Sequence, residues 1–258
     1  LKKKERNAPN GYSNLMPNYR YLDWDSDFWG FPVGKLEGSL LREGEAENIL
    51  ACCNENEIRC LYFAADGSDS QTLKRAHEAG FRFVDIRVDL ECDAARVIES
   101  SLSENSTVRP VTAADLESLK AIARSAHQDT RFFKDLNFDR AKCAMLYEKW
   151  IERDFEFAQV LGFFPGNRAV AGGYVTLATE CESARIGLIA VAESLRGRGG
   201  GRMLLDAAML AAAELGAKKI RVATQGTNVA ALKLYEKAGF RVCDVKIWFH
   251  RWFPACKI

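Results

Sequence analysis

A chain of 258 residues, 48% hydrophobic and 28% charged, has the composition of a folded globular protein and the length for one large domain or two ordinary ones. With 36 Lys and Arg against 35 Asp and Glu the net charge is +1, which excludes a surface held to nucleic acid by bulk charge. The longest apolar run, 207–213, falls far short of the about 20 residues that cross a bilayer, so no membrane partner is expected.

The first residues read LKKKERNAPN, and no apolar stretch follows the lysines, so no secretory signal is expected there. The eight cysteines (Cys52, Cys53, Cys60, Cys92, Cys143, Cys181, Cys243 and Cys256) form no C-x-x-C pair and no Cys/His ligand spacing. Reduced thiols of a cytoplasmic protein, and no metal, are the expectation.

The polar run SSLSENST at 100–107 has the composition of a linker. The organisation expected from it is an N-terminal extension (1–19), a first domain (20–99), the linker (100–107) and a second domain (108–258). The second domain opens on a short strand at 108–111, followed by Thr112 and Asp115 as a capping signal. A helix with an apolar stripe at Leu116, Leu119, Ile122 and Ala123 comes next. A helix over about 140–151, a hairpin of strands at 157–164 and 169–178, and a strand ARIGLIAV at 184–191 follow; the last has few polar residues and reads as buried on both faces. A helix from about Gly201 stops at Gly216, then come a strand at 219–224, a helix at 228–238 and a final strand pair from 240 to 253.

Residues 59–90 align without gaps on 218–249 at a constant offset of 159, with identities that include Leu73/Leu232, Lys74/Lys233, Gly80/Gly239, Phe81/Phe240 and Asp85/Asp244. A strand, a helix and a Gly-Phe entry into the next strand repeat in one register, so the first domain reads as a degenerate copy of the second.

Chemistry concentrates in two places. ARIGLIAV runs into a loop of Arg196, Gly197, Arg198, Gly199, Gly200, Gly201 and Arg202 that opens a helix. Glycines let backbone N–H groups approach a ligand, the helix start adds unpaired donors, and the arginines add positive charge, together a cradle for an anion. The pattern is neither a Walker loop nor a dinucleotide fingerprint. Further on, Asn228, Ala231 and Tyr235 fall on one helix face, an amide, a small residue and a phenol in a line.

R-x-x-G-x-G between strand and helix, followed by N-x-x-A-x-x-x-Y-x-x-x-G-F, closely resembles the acetyl-CoA site of the GNAT superfamily of N-acetyltransferases. The resemblance covers 108–249 in element order. It implies an α/β (α+β) fold, a GNAT-like mixed sheet flanked by helices and preceded by a smaller degenerate GNAT-like domain. It also implies acetyl-CoA as co-substrate. The backbone of Leu188, Ile189, Ala190 and Val191 would then pair with the pantetheine arm, and residues 196–202 would hold the pyrophosphate. Asn228 and Ala231 would line the arm, and Tyr235 would sit beside the sulfur. Segments 24–34, 184–191 and 221–239 resemble those members that acetylate the amine of a dTDP-linked 4-amino-4,6-dideoxy sugar. The acceptor implied is therefore a small amine of nucleotide-sugar type; the stretch AHQDTRFFKDLNFD at 126–139 would form its loop, and Asp129, Arg131 and Tyr174 are the candidate contacts.

Acyl transfer to an amine needs a neutral amine, a polarised thioester carbonyl and a proton for the departing thiolate. Tyr235 is the expected donor, since a phenol near pKa ~10 and a thiol near ~8.5 are close enough for transfer. No carboxylate stands on 185–191; Glu180 and Glu182 read as solvated turn residues, and His127 and Asp129 as capping or surface groups. Water-relayed deprotonation, with no single base, is the expectation. Other small amines, protein amines, a non-catalytic acyl-CoA sensor and a homodimer stay open.

Overall fold

The computed structural model describes residues 18–97, 107–167 and 169–254. The 1–19 extension up to residue 17, the linker up to residue 106, Arg168 and Cys256 lie outside them.

Ten strands among the described residues form one sheet in the order β1-β2-β3-β10-β4-β9-β8-β7-β6-β5. The first part of the chain supplies β1 (Tyr19–Tyr21), β2 (Val33–Leu36), β3 (Cys60–Asp66) and β4 (Arg82–Asp93), with helices α1 (Asp23–Trp29), α2 (Glu45–Glu55) and α3 (Ser70–Glu78). After β5 (Val108–Pro110) come α4 (Leu116–Ala126), α5 (Arg131–Lys134) and α6 (Arg140–Phe157), then β6 (Gln159–Phe163), β7 (Gly173–Glu180) and β8 (Ser183–Val191). The chain finishes with α7 (Gly200–Glu214), β9 (Lys219–Gln225), α8 (Val229–Lys237) and β10 (Arg241–Trp252). Parallel pairs β2–β3 and β8–β9 among antiparallel ones make the sheet mixed, flanked by helices on both faces, as expected.

One face is covered by α7 and α8, with Leu204, Leu205 and Ala208 packed on Val175, Leu177, Ile186 and Val222. Further along that face α2 and α3 cover Leu61, Phe63 and Phe249. The opposite face carries α1, α4, α5 and α6, through Trp29, Leu119, Phe132 and Leu146 on Tyr62, Val160 and Tyr174. Each buried Leu or Phe contributes about 1.5–3 kcal/mol of burial free energy, which is what holds these short helices to the sheet.

The repeat is visible in three dimensions. Every boundary of β9, α8 and β10 is that of β3, α3 and β4 displaced by 159 residues. Asp69 and Asn228 cap the two helices identically, each side chain accepting the N–H three residues on, from Thr72 and Ala231. The two final strands cross over: β10 pairs with β3, and β4 pairs with β9. Lys246 opposite Asp66 and Arg87 opposite Gln225 are the same pair seen through a pseudo-twofold axis.

That crossing corrects the expected final strand pair, because 241–252 is one continuous strand whose partners come from the first part of the chain. The region near 157 also differs. Helix α6 runs on to Phe157, so β6 starts only at Gln159. Nor is β8 buried on both faces, since Arg185 and Gly187 are exposed.

Candidate active site

Strands β8 and β9 pair in parallel from Ser183/Lys219 to Ile186/Val222 and then separate. The cause lies on the other side of β8. Val175 faces Ile189 but Leu177 faces Ile186, so β8 carries one extra residue, a bulge at Gly187–Leu188. The Leu188 N–H donates to Thr176 Oγ1 at 2.9 Å, and Thr176 in turn donates to Asp154 Oδ2 of α6 at 2.9 Å. A Cβ at position 187 would stand 2.7 Å from Thr176 Oγ1, so glycine is required for this approach. Past the bulge, Ala192 donates to the Gly172 carbonyl at 2.8 Å. Alternation along the ladder turns the N–H of Ala190 toward β7 as well, and those of Ile189 and Val191 into the gap. Of the four expected backbone donors, Ile189 and Val191 thus face the opening, while Leu188 and Ala190 brace the sheet.

The gap leads to the glycine loop. Gly197 (φ 74°) and Gly199 (φ 85°) occupy the left-handed region, with open space where a Cβ would be. Gly199 caps α7, and the N–H groups of residues 197 to 201 make no backbone hydrogen bond among the described residues. Gly200 packs so closely on Phe163 that a Cβ would meet its ring at 2.6 Å, and a Cβ on Gly201 would face Leu234 of α8 at 3.6 Å and Val191 at 4.0 Å. Loop, strand end and α8 therefore converge, and five free donors at a helix start suit a diphosphate.

The three arginines divide. Arg202 is tied to both oxygens of Asp206 at 2.8 Å and to the Lys237 carbonyl at 3.3 Å, so it staples α7 to α8 instead of supplying mobile charge. Arg196 Nε donates to the Val191 carbonyl at 3.2 Å. Arg198 has no hydrogen-bond partner among the described residues and lines a recess of about 380 Å³ with Phe163, Pro165, Gly166 and Leu195.

On α8, Asn228 spends its Oδ1 on the helix cap, leaving its amide hydrogens uncommitted. Tyr235 is buried, with its ring 5.7 Å from that of Phe240 and no hydrogen bond to its hydroxyl among the described residues. Burial pushes its phenol above the ordinary value near 10, so it stays protonated across the working range.

On the face carrying α4–α6, the acceptor candidates separate. Tyr174 has no exposed surface and its hydroxyl lies 2.9 Å from His127 Nε2, so it belongs to the core and corrects the expected acceptor contact. His127, stacked on Tyr147, is held neutral: burial and the charge of Arg196 lower it to about 4. Asp129 is 60% exposed and pairs with Lys134 at 3.0 Å. Lys134 also reaches the buried Asp85 at 2.8 Å, and the Thr227 hydroxyl donates to Asp129 at 3.1 Å. This knot pins the 127–135 loop over the open end of the gap. Arg131 starts α5, its Nη1 2.7 Å from His250 Nε2 and its guanidinium stacked against Tyr62, Phe132 and Trp248. Glu182 pairs with Lys218 at the far end of β8, a solvated turn residue as read.

Residues 119–240 match the model of the acetyltransferase (GNAT) family. The chain is 32% identical over 241 residues to the dTDP-fucosamine acetyltransferase of Escherichia coli, covering 89% of this chain and 96% of that protein. The chain belongs to the GNAT acetyltransferase family. Its co-substrate is acetyl-CoA. Solved structures agree on the fold. A conserved protein of unknown function from Staphylococcus epidermidis superposes with a TM-score of 0.67 at 13% identity, over 93% of both chains. A tandem GNAT protein from the clavulanic acid biosynthesis pathway superposes with a TM-score of 0.58 at 14% identity, over 87% of this chain and 77% of that one. No helix among the described residues is long and apolar enough to cross a membrane.

Thr176, Asp154, Lys134 and Asp85 escaped the sequence reading. Each acts through a partner distant in sequence, and no local spacing marks such contacts.

Proposed function

We propose that this acetyltransferase transfers the acetyl group of acetyl-CoA to the amine of a nucleotide-linked amino sugar of the dTDP-4-amino-4,6-dideoxyhexose type. The similarity to the dTDP-fucosamine enzyme carries the reading, because it spans 89% of the chain and so includes the first part as well as the acetyltransferase unit. Arg131, a cation at the mouth of the acceptor side without an ion-pair partner among the described residues, supports an anionic acceptor.

The amine nitrogen attacks the thioester carbonyl carbon; a C–N bond forms, and the C–S bond breaks. The N–H groups of Ile189 and Val191 are the donors available to polarise the carbonyl. Tyr235 gives its phenolic proton to the departing thiolate and recovers one from solvent. Both oxygens of Asp154 already accept hydrogen bonds, from Arg153 and Thr176, which suits it to bracing the bulge and leaves the amine proton to water. Asp129→Asn is expected to keep the acidic limb of the pH–rate profile.

Residues 20–99 are read as the reduced copy and 108–258 as the catalytic unit. In the first copy the position of Tyr235 is Ala76, which is buried, and that of Asn228 is the cap Asp69. It therefore holds no second acetyl-CoA site and serves as a wall of the acceptor cleft. A cytoplasmic enzyme that can pair as a homodimer fits this reading.

The test is thiol release from acetyl-CoA across a panel of amines that includes dTDP-linked amino sugars, free amino sugars, polyamines and peptides. Turnover highest on a dTDP-linked amino sugar is expected. Preference for a peptide or another amine replaces the acceptor, and tight cofactor binding without turnover points to a sensor.

A further inference from the structure

Arg131 is built into the fold with unusual care. His250 is fully buried and uses both ring nitrogens: Nδ1 lies 2.7 Å from Asp135 Oδ2, and Nε2 lies 2.7 Å from Arg131 Nη1. A guanidinium can only donate, so Nε2 is the acceptor and the hydrogen sits on Nδ1, pointing at Asp135. Trp252 Nε1 donates to the same Asp135 oxygen at 2.8 Å. One edge of Arg131 is thereby fixed through a buried imidazole, and its flat faces are held by Tyr62 and Phe132 at 4.1 Å and Trp248 at 4.3 Å. The other guanidinium nitrogens have no partner among the described residues and are not among the enclosed polar atoms that lack one.

A second cation meets the same indole. Lys35 of β2 places its Nζ 5.9 Å from the centre of the Trp248 ring and makes no hydrogen bond or ion pair among the described residues. Neighbouring charges are otherwise matched: Arg20 pairs with Glu37 at 3.1 Å, and Arg87 with Asp89 at 2.7 Å. Asp25 lies within electrostatic reach of Arg131, but no ion pair joins them, and burial raises its carboxyl. Burial lowers the Lys35 ammonium, Glu37 opposes that shift, and Arg20, Arg131 and Arg87 add to it. On β3 the small Ala64 stands opposite Trp248.

The position selects the ligand. Trp248 faces Asp85 on β4, and the carbonyl of the next residue, Ile86, accepts the Gly226 N–H, so Trp248 stands level with the open end of the β8–β9 gap. Two strand spacings of roughly 4.8 Å each separate β9 from β10, so Trp248, which both cations meet, stands on a strand roughly 10 Å from the edge of the gap, and Lys35 reaches it from β2, two strands further out. A sugar ring bridges that interval when its amine is at one end and its anionic substituent at the other. Trp24, 42% exposed and stacked parallel on Phe28 at 5.3 Å, offers an aromatic face on the neighbouring α1 for a base.

We propose that Arg131, Lys35 and Trp248 form a subsite for the diphosphate of a nucleoside-diphosphate-linked acceptor, with Asp135 and His250 as positioning residues for Arg131. The proposal rests on the nucleotide-sugar reading above and deepens it by assigning the anion's place. Arg131 supplies donors in a fixed fork, Lys35 a point charge, and Trp248 the low-dielectric floor that strengthens both.

Tryptophan fluorescence titrations with thymidine diphosphate, thymidine and inorganic pyrophosphate test it on the full chain. The wild type is expected to bind thymidine diphosphate at least tenfold more tightly than thymidine. Lys35→Gln, at a half-buried strand position and close to isosteric, and Arg131→Lys should each weaken thymidine diphosphate about fivefold or more. His250→Gln should raise KM for the acceptor while leaving KM for acetyl-CoA unmoved, a split that a general loss of structure does not give. Equal binding of thymidine and its diphosphate, or variants that bind the diphosphate like the wild type, overturns the subsite. Binding through these residues without turnover on any nucleotide-linked amino sugar sinks the proposed reaction and leaves the subsite standing. Turnover on such a sugar with an unmoved acceptor KM in Lys35→Gln and Arg131→Lys does the reverse.

Discussion

The backbone N–H of Leu188 is held by the hydroxyl of Thr176 at 2.9 Å, not by a strand carbonyl. This side-chain bond takes the place of a ladder bond at the bulge, and it keeps β8 turned away from β9. Thr176→Val would leave that N–H and an oxygen of Asp154 without their partner, at a cost of about 1–3 kcal/mol. We expect a lower melting temperature and kcat/KM for acetyl-CoA reduced about tenfold or more, with Thr176→Ser restoring both. Thermal melts and steady-state kinetics on the three proteins check this.

The loop amides are expected to matter more than its side chains. Gly199→Ala forces an L side chain into φ 85° at the first turn of α7, which costs about 1–2 kcal/mol and turns the neighbouring amides. Acetyl-CoA affinity, measured by calorimetry, should fall about tenfold. Arg198→Gln should weaken binding more than Arg202→Gln, because Arg202 is already spent on Asp206 and Lys237. A larger loss at Arg202 would contradict that division.

Two buried histidines make the protein acid-sensitive. Burial lowers His127 and His250 from 6.5 to about 4; His250 keeps its Asp135 partner, which opposes the shift without overcoming it. In the unfolded chain both take up protons near 6.5, whereas in the folded chain they do so only near 4. Stability is therefore complete above about pH 6.5 and falls as the pH drops toward 4. Denaturant midpoints between pH 7 and 4 should show that slope, and His127→Gln should flatten it.

The frame of the second unit was legible because its signals are local. The helix from 228, the Gly239 that follows it and the shared face of Asn228, Ala231 and Tyr235 lie within one strand–helix–strand unit. The bend of β8 was not legible, since its cause, Thr176, sits on another strand and Asp154 on a helix before it. The run from Phe157 reads as strand in the sequence, but Phe157 ends α6 with 80% of its surface exposed, and the strand begins only at Gln159. The crossing of β4 and β10 left no local trace either. It joins Lys246 to Asp66 and Arg131 to His250 across more than a hundred residues, and the internal repeat hinted at the two units without showing that they exchange strands.

The most direct test of the account is kinetic comparison of Tyr235→Phe with the wild type, alongside acetyl-CoA affinity by calorimetry. If the phenol delivers the proton to the leaving sulfur, kcat should drop about a hundredfold with the acetyl-CoA Kd unchanged within about twofold. An unchanged kcat, or equal losses in turnover and cofactor affinity, would contradict it and return Tyr235 to the core beside Phe240.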